Sequence, residues 1–330
     1  MVREDADEII EGVLLCPVPA CMREHPIIDG IPVIVVDIRS YLQSQIGQIL
    51  SRDDISPVID GLLCDCLGAG SEFERTRYHL STYCRSHYGD LDPVTPLPAD
   101  LALPALIARG ISLLSSPDTR PEGPWIDIGC SVGRGTFELA AATGDLVLGV
   151  DLNMGMLRIA RQVARTGRVR HPLRRAGVVY DWREFDVDVP ACAPVEFWAC
   201  DAMALPFAND SFAGALSCNV LDCVASPVAH LMEVGRIIAP AGQAIISSPY
   251  DWSSNATPLE AWIGGHSQRA DSGGDSAREM RRVISAHAPA EQSTRMVIDS
   301  EVESVPWHVY VHERAAMHYQ VHLVVTRKPA

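Results

Sequence analysis

From residue 124 onward the sequence alternates short apolar runs with amphipathic helical stretches, and this pattern restricts the fold more than any other feature. Strands separated by helical crossovers pair in parallel, whereas strands joined by tight turns pair antiparallel. The runs 125–130, 146–152, 195–200, 213–219 and 243–248 are expected to be strands, with helices at 135–142, 154–166 and 227–238. The last helix is well punctuated: Ser226 is its N-cap, Pro227 opens its first turn, and Val228, Leu231, Val234 and Ile238 share one face. Beyond Trp252 come a Gly/Ser/Asp-rich loop, a helix near 277–287, and β-rich runs at 296–312 and 317–326 that could close the sheet as a hairpin. An α/β fold around a mostly parallel sheet is predicted.

Ahead of this region lie two further zones, so the 330 residues divide into 1–57, 58–121 and 122–330. The first holds Cys16, Cys21 and the apolar run 31–37. The second predicts a helix over 73–88, then a proline-broken linker over 92–104. Lys+Arg number 27 and Asp+Glu 42, a formal net charge of −15 that repels phosphate backbones and anionic membranes. Bulk nucleic-acid binding is disfavoured. No apolar run is long enough to span a bilayer, and the acidic start 1–11 lacks the basic and apolar regions of a signal peptide. A cytoplasmic protein with reduced cysteines is expected.

The most informative stretch is Ile126-Asp127-Ile128-Gly129-Cys130-Ser131-Val132-Gly133-Arg134-Gly135, a strand entering a glycine-rich turn and then a helix. Such a turn lets backbone approach a ligand and aims helix N–H groups at it. Ser131 and Arg134 occupy the second and third glycine positions of a dinucleotide fingerprint, which weakens a nicotinamide reading. G-x-S-x-G across 129–133 also spells the nucleophile elbow of an α/β-hydrolase, with Ser131 as nucleophile, but no oxyanion loop precedes it. Two strand-end carboxylates favour another chemistry. Asp151 suits the hydroxyls of a ribose, and Asp201 suits an exocyclic adenine amine, so the three elements outline an adenosine pocket at one sheet edge.

The segments IDIGCSVGRG, LGVDLN, CDAMALPFANDSFAGALSCNVLD and EVGRIIAPAGQAIISSPY, in this order, resemble the class I S-adenosylmethionine-dependent methyltransferases over 125–326. The resemblance implies a Rossmann-like, mostly parallel seven-stranded sheet with helices on both faces, preceded by a small cysteine-containing module. It implies S-adenosylmethionine as cofactor, with Asp127 beside the turn and Gly129, Cys130, Ser131 and Gly133 lining the methionine and ribose part. Asp151 would hold the ribose, Leu152 and Met154 would flank adenine, Asp201 and Ala202 would bind its edge, and Asn219 would face the methionyl end. The Ser248–Trp252 loop borders the acceptor side in that family, making Tyr250 and Asp251 catalytic candidates. His87, on the predicted helix with His79 and Tyr83, is a third, as a general base near the cleft.

The first zone, with Cys16-Pro-Val-Pro-Ala-Cys21 and then Pro26-Ile-Ile-Asp-Gly-Ile-Pro32, resembles the small zinc-binding proteins that activate methyltransferases. A structural zinc would take Cys16 and Cys21 as one ligand pair and Cys64 and Cys66 as the other, although C-x-C is tighter than the usual spacing. A metal-free fold with apolar cysteines is the alternative. Seven arginines between Arg158 and Arg175 read as a solvated helix face and loop before they read as an RNA surface. A small-molecule acceptor is favoured; RNA or protein acceptors, or a non-catalytic nucleotide-binding scaffold, are the other readings.

Overall fold

The computed structural model describes residues 3–5, 8–51, 55–188, 194–285 and 294–330. The chain begins with a four-stranded antiparallel sheet of β1 (Arg3–Asp5), β2 (Glu8–Leu15), β3 (Glu24–Ile28) and β4 (Ile31–Pro32), in that order. Asp29 and Gly30, both at positive φ (52° and 72°), form the two-residue turn between β3 and β4, the geometry that matches hairpin twist. Four helices follow: α1 (Ile38–Ile49), α2 (Pro57–Leu67), α3 (Glu72–Tyr88) and α4 (Leu103–Ile111). The first three are capped by Asp37, Ser56 and Ser71, whose side chains accept backbone N–H groups of the first turn.

The central region comprises β5 (Trp125–Ile128), α5 (Arg134–Thr143), β6 (Val147–Asp151), α6 (Met154–Thr166), β7 (Arg168–Ala176), β8 (Val179–Asp186) and β9 (Val195–Ala199). It continues through β10 (Phe212–Cys218), α7 (Pro227–Ile237), β11 (Ile238–Ser248), α8 (Ser276–Ile284), β12 (Val297–His312) and β13 (Ala315–Arg327). Seven strands form one sheet in the order β12-β13-β11-β10-β5-β6-β9, in which β13 runs antiparallel to β11 and to β12, and the other neighbours are parallel. The chain leaves β5 toward β6 and β9 on one side, then returns to lay β10 and β11 on the other. Strand order therefore switches between β5 and β10, the place where an open α/β sheet leaves a crevice outside its carboxyl ends.

Two expectations need correction here. Of the seven arginines, Arg158, Arg161 and Arg165 lie on the α6 helix as expected, but Arg168, Arg170, Arg174 and Arg175 lie not in a loop but on β7, whose hairpin with β8 is a separate two-stranded sheet. Its side chains alternate, with Val169 and His171 buried and Arg168 exposed, the period-2 pattern of a half-buried strand. The strand expected from 243 begins earlier: α7 passes straight into β11 at Ile238, and Ala241 at φ 65° lies at a bulge within it, where the register against β10 shifts.

The N-terminal sheet is joined to the central one. Val33 bridges Ala199 in parallel, and the Ile34 N–H donates to the Ala199 carbonyl at 2.9 Å, extending the β9 edge. Arg158 on α6 holds Asp29 (Nε to Oδ2, 2.7 Å) and the Ile49 carbonyl (2.7 Å), while Arg161 pairs with Glu8 at 2.7 Å. Ile31 and Val33 are completely buried in the cluster that also holds Leu157 and Phe197. No helix among the described residues is long and apolar enough to cross a membrane.

Candidate functional site

β5 ends in the glycine turn, where Gly129, Ser131 and Gly133 all have positive φ (75°, 52° and 88°). Gly129 is required by contact as well as conformation, since a Cβ there would stand 2.4 Å from Val220 Cγ2 on the loop after β10. Left-handed backbone is uncommon outside glycine. Ser131, Asn219 and Tyr250 nevertheless adopt it just beyond the carboxyl ends of β5, β10 and β11, so unusual backbone gathers along one sheet edge.

A cleft of about 680 Å³ opens at that edge. Asp151, the last residue of β6, crosses to the turn: its Oδ2 accepts the Ser131 N–H at 2.9 Å and its Oδ1 accepts the Asn153 N–H at 2.8 Å. Burial raises its pKa despite these bonds. The Asp151 carbonyl accepts the Cys200 N–H at 3.2 Å, so β6 and β9 end side by side, and Asp201 follows with its Oδ1 accepting the Met203 N–H at 2.9 Å. Asp127 lies beneath the turn, bonded by Thr136 Oγ1 at 2.8 Å and pushed up to about 7 by burial. Asn219 Oδ1 accepts from Ser247 Oγ at 2.9 Å, which leaves the buried Nδ2 without a partner.

Of the residues expected to hold a cofactor, Asp127, Gly129, Cys130, Ser131, Asp151, Leu152, Asp201, Ala202 and Asn219 all line this cleft. Gly133 and Met154 do not. Gly133 caps α5 and packs under α6 and β9, where a Cβ would be 2.8 Å from the Ala160 Cβ and 3.0 Å from the Phe197 ring. Met154 begins α6 and is fully buried in the core; the helix turns Met156 to the cleft instead, where it accepts a hydrogen bond from Ser131 Oγ at 3.3 Å. That bond also weighs against the hydrolase reading, because among the described residues no histidine is a hydrogen-bond partner of Ser131.

Among the catalytic candidates, His87 and Asp251 line the cleft and Tyr250 does not. The Tyr250 hydroxyl is turned to His322 Nδ1 at 2.6 Å and Met280 Sδ at 3.1 Å, its ring packed against the core. His87 is pushed down to about 3 by burial and by the nearby Arg134 guanidinium, so it is a neutral hydrogen-bonding group and a poor general base. The four cysteines expected to hold zinc are not brought together among the described residues. Cys16 and Cys21 share a side-chain hydrogen bond, but Cys64 and Cys66 sit two apart on α2 and so point in different directions, the first buried and the second exposed. Among the described residues the one metal-compatible cluster is Glu301, Glu303 and His322, and Arg281 already pairs with both glutamates.

The far wall of the cleft was foreseen only in part: the α3 segment, which contributes Thr82 and Tyr83, was expected beside the cleft, whereas Trp307 on β12, Met317 and Tyr319 on β13, and Asp222 on the loop after β10 were not. Trp307 Nε1 donates to Ser86 Oγ at 3.2 Å, joining hairpin to helix. Asp222 Oδ2 accepts the Asp251 N–H at 2.8 Å, and Asp251 Oδ2 accepts the Tyr319 hydroxyl at 2.7 Å. Burial raises Asp222 to about 6. The carboxylate following Cys218-Asn-Val-Leu was a visible signal, being one more acid after a strand end. The arginines of β7 offer no free basic face: Arg168, Arg174 and Arg175 pair with Glu184 and Asp186, Glu74, and Asp181 respectively.

The family described as a methyltransferase domain matches residues 126–246. A curated protein described as an uncharacterised 37.1 kDa protein in a transposon of Streptomyces fradiae is 29% identical over 144 residues, 43% of this chain and 34% of that protein. The chain thus matches about a third of that relative's length. Among solved structures, a SAM-dependent methyltransferase from Methanosarcina mazei matches at 18% identity and a TM-score of 0.42, over 64% of this chain and 95% of that one. A complex containing the Haloferax volcanii Trm112 methyltransferase activator matches at 16% identity and a TM-score of 0.42, over 85% of this chain and 100% of the other. The stretch that carries the glycine turn and both strand-end aspartates is the one that matches the methyltransferase-domain family, 126–246.

Proposed function

We propose that this chain is an S-adenosylmethionine-dependent methyltransferase that acts on a small-molecule acceptor. One observation carries the reading: Asp151 and Asp201 end neighbouring parallel strands and open, with the glycine turn, onto a single cleft. The residues fit such a cofactor. Asp151 retains lone pairs for ribose hydroxyls beyond the two amides it already accepts, Asp201 with Ala202 would bind the adenine edge, and Leu152 would flank its face. The unpartnered Asn219 Nδ2 is available to the methionyl end. Bound there, the cofactor supplies an electrophilic methyl group on a sulfonium.

The chain's own part is alignment, exclusion of water and removal of a proton. α3 and the β12–β13 hairpin enclose the cleft and hold the acceptor against the carboxyl ends of the strands. Asp222, at about 6, is mostly ionised near neutrality yet more basic than an ordinary carboxylate, so it takes the acceptor's proton. His87 contributes a hydrogen bond.

Calorimetry with S-adenosylmethionine tests the reading. Asp151→Ala and Asp201→Ala each remove a charge-assisted hydrogen bond worth about 1.5–3 kcal/mol, so each is expected to weaken binding by about tenfold or more. Unchanged affinity in both variants, or no binding by the wild type, sinks the assignment; binding with no methyl transfer from labelled cofactor to a metabolite extract leaves a nucleotide-binding scaffold.

A further inference from the structure

We propose that the acceptor is a flat aromatic or apolar molecule bearing an amine or hydroxyl, neutral or cationic as it enters, and that phosphate, diphosphate and carboxylate compounds are rejected; this rests on the methyltransferase reading above. Among the described residues the cleft lining holds five aspartates, Asp127, Asp151, Asp201, Asp222 and Asp251, and no lysine or arginine. The neighbouring cations are committed elsewhere. Arg85 on α3 pairs with Asp92 at 2.9 Å, and Arg134 at the start of α5 pairs with Asp90 at 3.3 Å and Glu138 at 2.7 Å. An anion entering would lose its hydration and find no counter-charge, whereas a cation would find several. The methyl donor itself carries a net positive charge, so one field selects both reactants.

The shape of the far wall supplies the rest of the class. Trp307 and Tyr319 are stacked, with ring centroids 5.3 Å apart and an interplanar angle of 25°, and both line the cleft. This rigid aromatic surface suits a flat body or an ammonium group. On α3, Thr82 Oγ1 and His87 Nδ1 have no hydrogen-bond partner, although Thr82 is 8% and His87 5% exposed, and both residues line the cleft. Polar atoms so deeply placed are satisfied by something. A hydroxyl or amine on the acceptor does so, and in the transfer a hydrogen on its nitrogen or oxygen, other than any donated to Thr82 or His87, goes to the Asp222 carboxylate as the nitrogen or oxygen lone pair forms its bond to the methyl carbon and the carbon–sulfur pair returns to sulfur.

The test uses the full chain and four probes sharing one phenyl ring and a short arm: 2-phenylethylamine, 2-phenylethanol, 3-phenylpropionate and 2-phenylethyl phosphate. Binding is read by ligand-observed NMR and tryptophan fluorescence, with and without S-adenosylhomocysteine. The amine and the alcohol are expected to bind about tenfold or more tighter than the two anions. Met317→Arg, at a cleft position that is 41% exposed, is expected to narrow or reverse that ranking. Thr82→Val, which breaks no existing hydrogen bond, is expected to weaken the amine and alcohol several-fold while leaving S-adenosylhomocysteine affinity unchanged. Anions that bind as well as the amine, or no binding of any probe while S-adenosylhomocysteine binds, overturns the proposal. If the ranking holds but S-adenosylhomocysteine does not bind, the cofactor reading falls and the cleft's charge preference stands.

Discussion

Asp222 and Asp127 are both buried acids at the cleft, and their environments assign them different work. Asp222 faces the Ser248 hydroxyl and the Asp251 amide and carboxylate, and is raised to about 6. Activity that needs its ionised form rises as pH increases through about 6, and Asp222→Asn is expected to abolish that limb while lowering kcat by about 10²–10⁴-fold for a protonated acceptor. A pH–rate profile of both proteins decides it; an unchanged acid limb in the variant removes Asp222 as the base. Asp127 is raised to about 7, so its contribution to stability is complete below its unfolded value near 4 and is lost as pH rises through 7. Asp127→Asn keeps an acceptor for Thr136 Oγ1 and is expected to stabilise the cofactor-free fold by about 1–4 kcal/mol at pH 8, with a smaller gain at pH 5. Denaturant unfolding at the two pH values measures it. Asp151 and Asp201 were legible because a strand-end acid is fixed by chain position alone. Gly133, Met154 and Tyr250 were not, because which way a residue faces depends on helix phase and on what packs behind it, as Ala160, Phe197 and His322 do here.

At the scale of elements, the five parallel strands and their helices were readable from period and punctuation, since each had its own cap or turn. The β7–β8 hairpin was hidden because four of the nine residues of β7 are arginines and its buried residues, Val169, His171 and Pro172, do not make an apolar alternation. The attachment of the N-terminal sheet was likewise invisible: it depends on Val33 meeting Ala199 across 166 residues of sequence, counted from 33 to 199, and on Arg158 reaching back to Asp29. Ile31, fully buried at that junction, gives a direct measure of the attachment. Ile31→Ala is expected to cost about 2–5 kcal/mol and to expose residues 8–32 to protease before the central sheet unfolds. Equal protease resistance in both proteins would show that the ion pairs on α6 hold the sheet without this side chain.

For the whole molecule, a formal charge of −15 and a cleft rich in carboxylates mean that the proposed cationic cofactor would stabilise the fold as well as react. At a hundredfold excess over Kd, S-adenosylmethionine is expected to stabilise the native state by about 2.7 kcal/mol, seen as a rise of several degrees in Tm. No rise at that excess contradicts the assignment of the cleft. The bond between Trp307 and Ser86 joins positions 221 apart in sequence, the two walls of the same cleft. Contacts of such separation form late, because the chain between them must first be ordered. The half of the cleft built from 125–219, the proposed methyl-donor side, is therefore expected to order before the far wall. A refolding chain should pass through a stage that retains nucleotide but has no closed chamber, so that recovery of cofactor binding runs ahead of recovery of turnover.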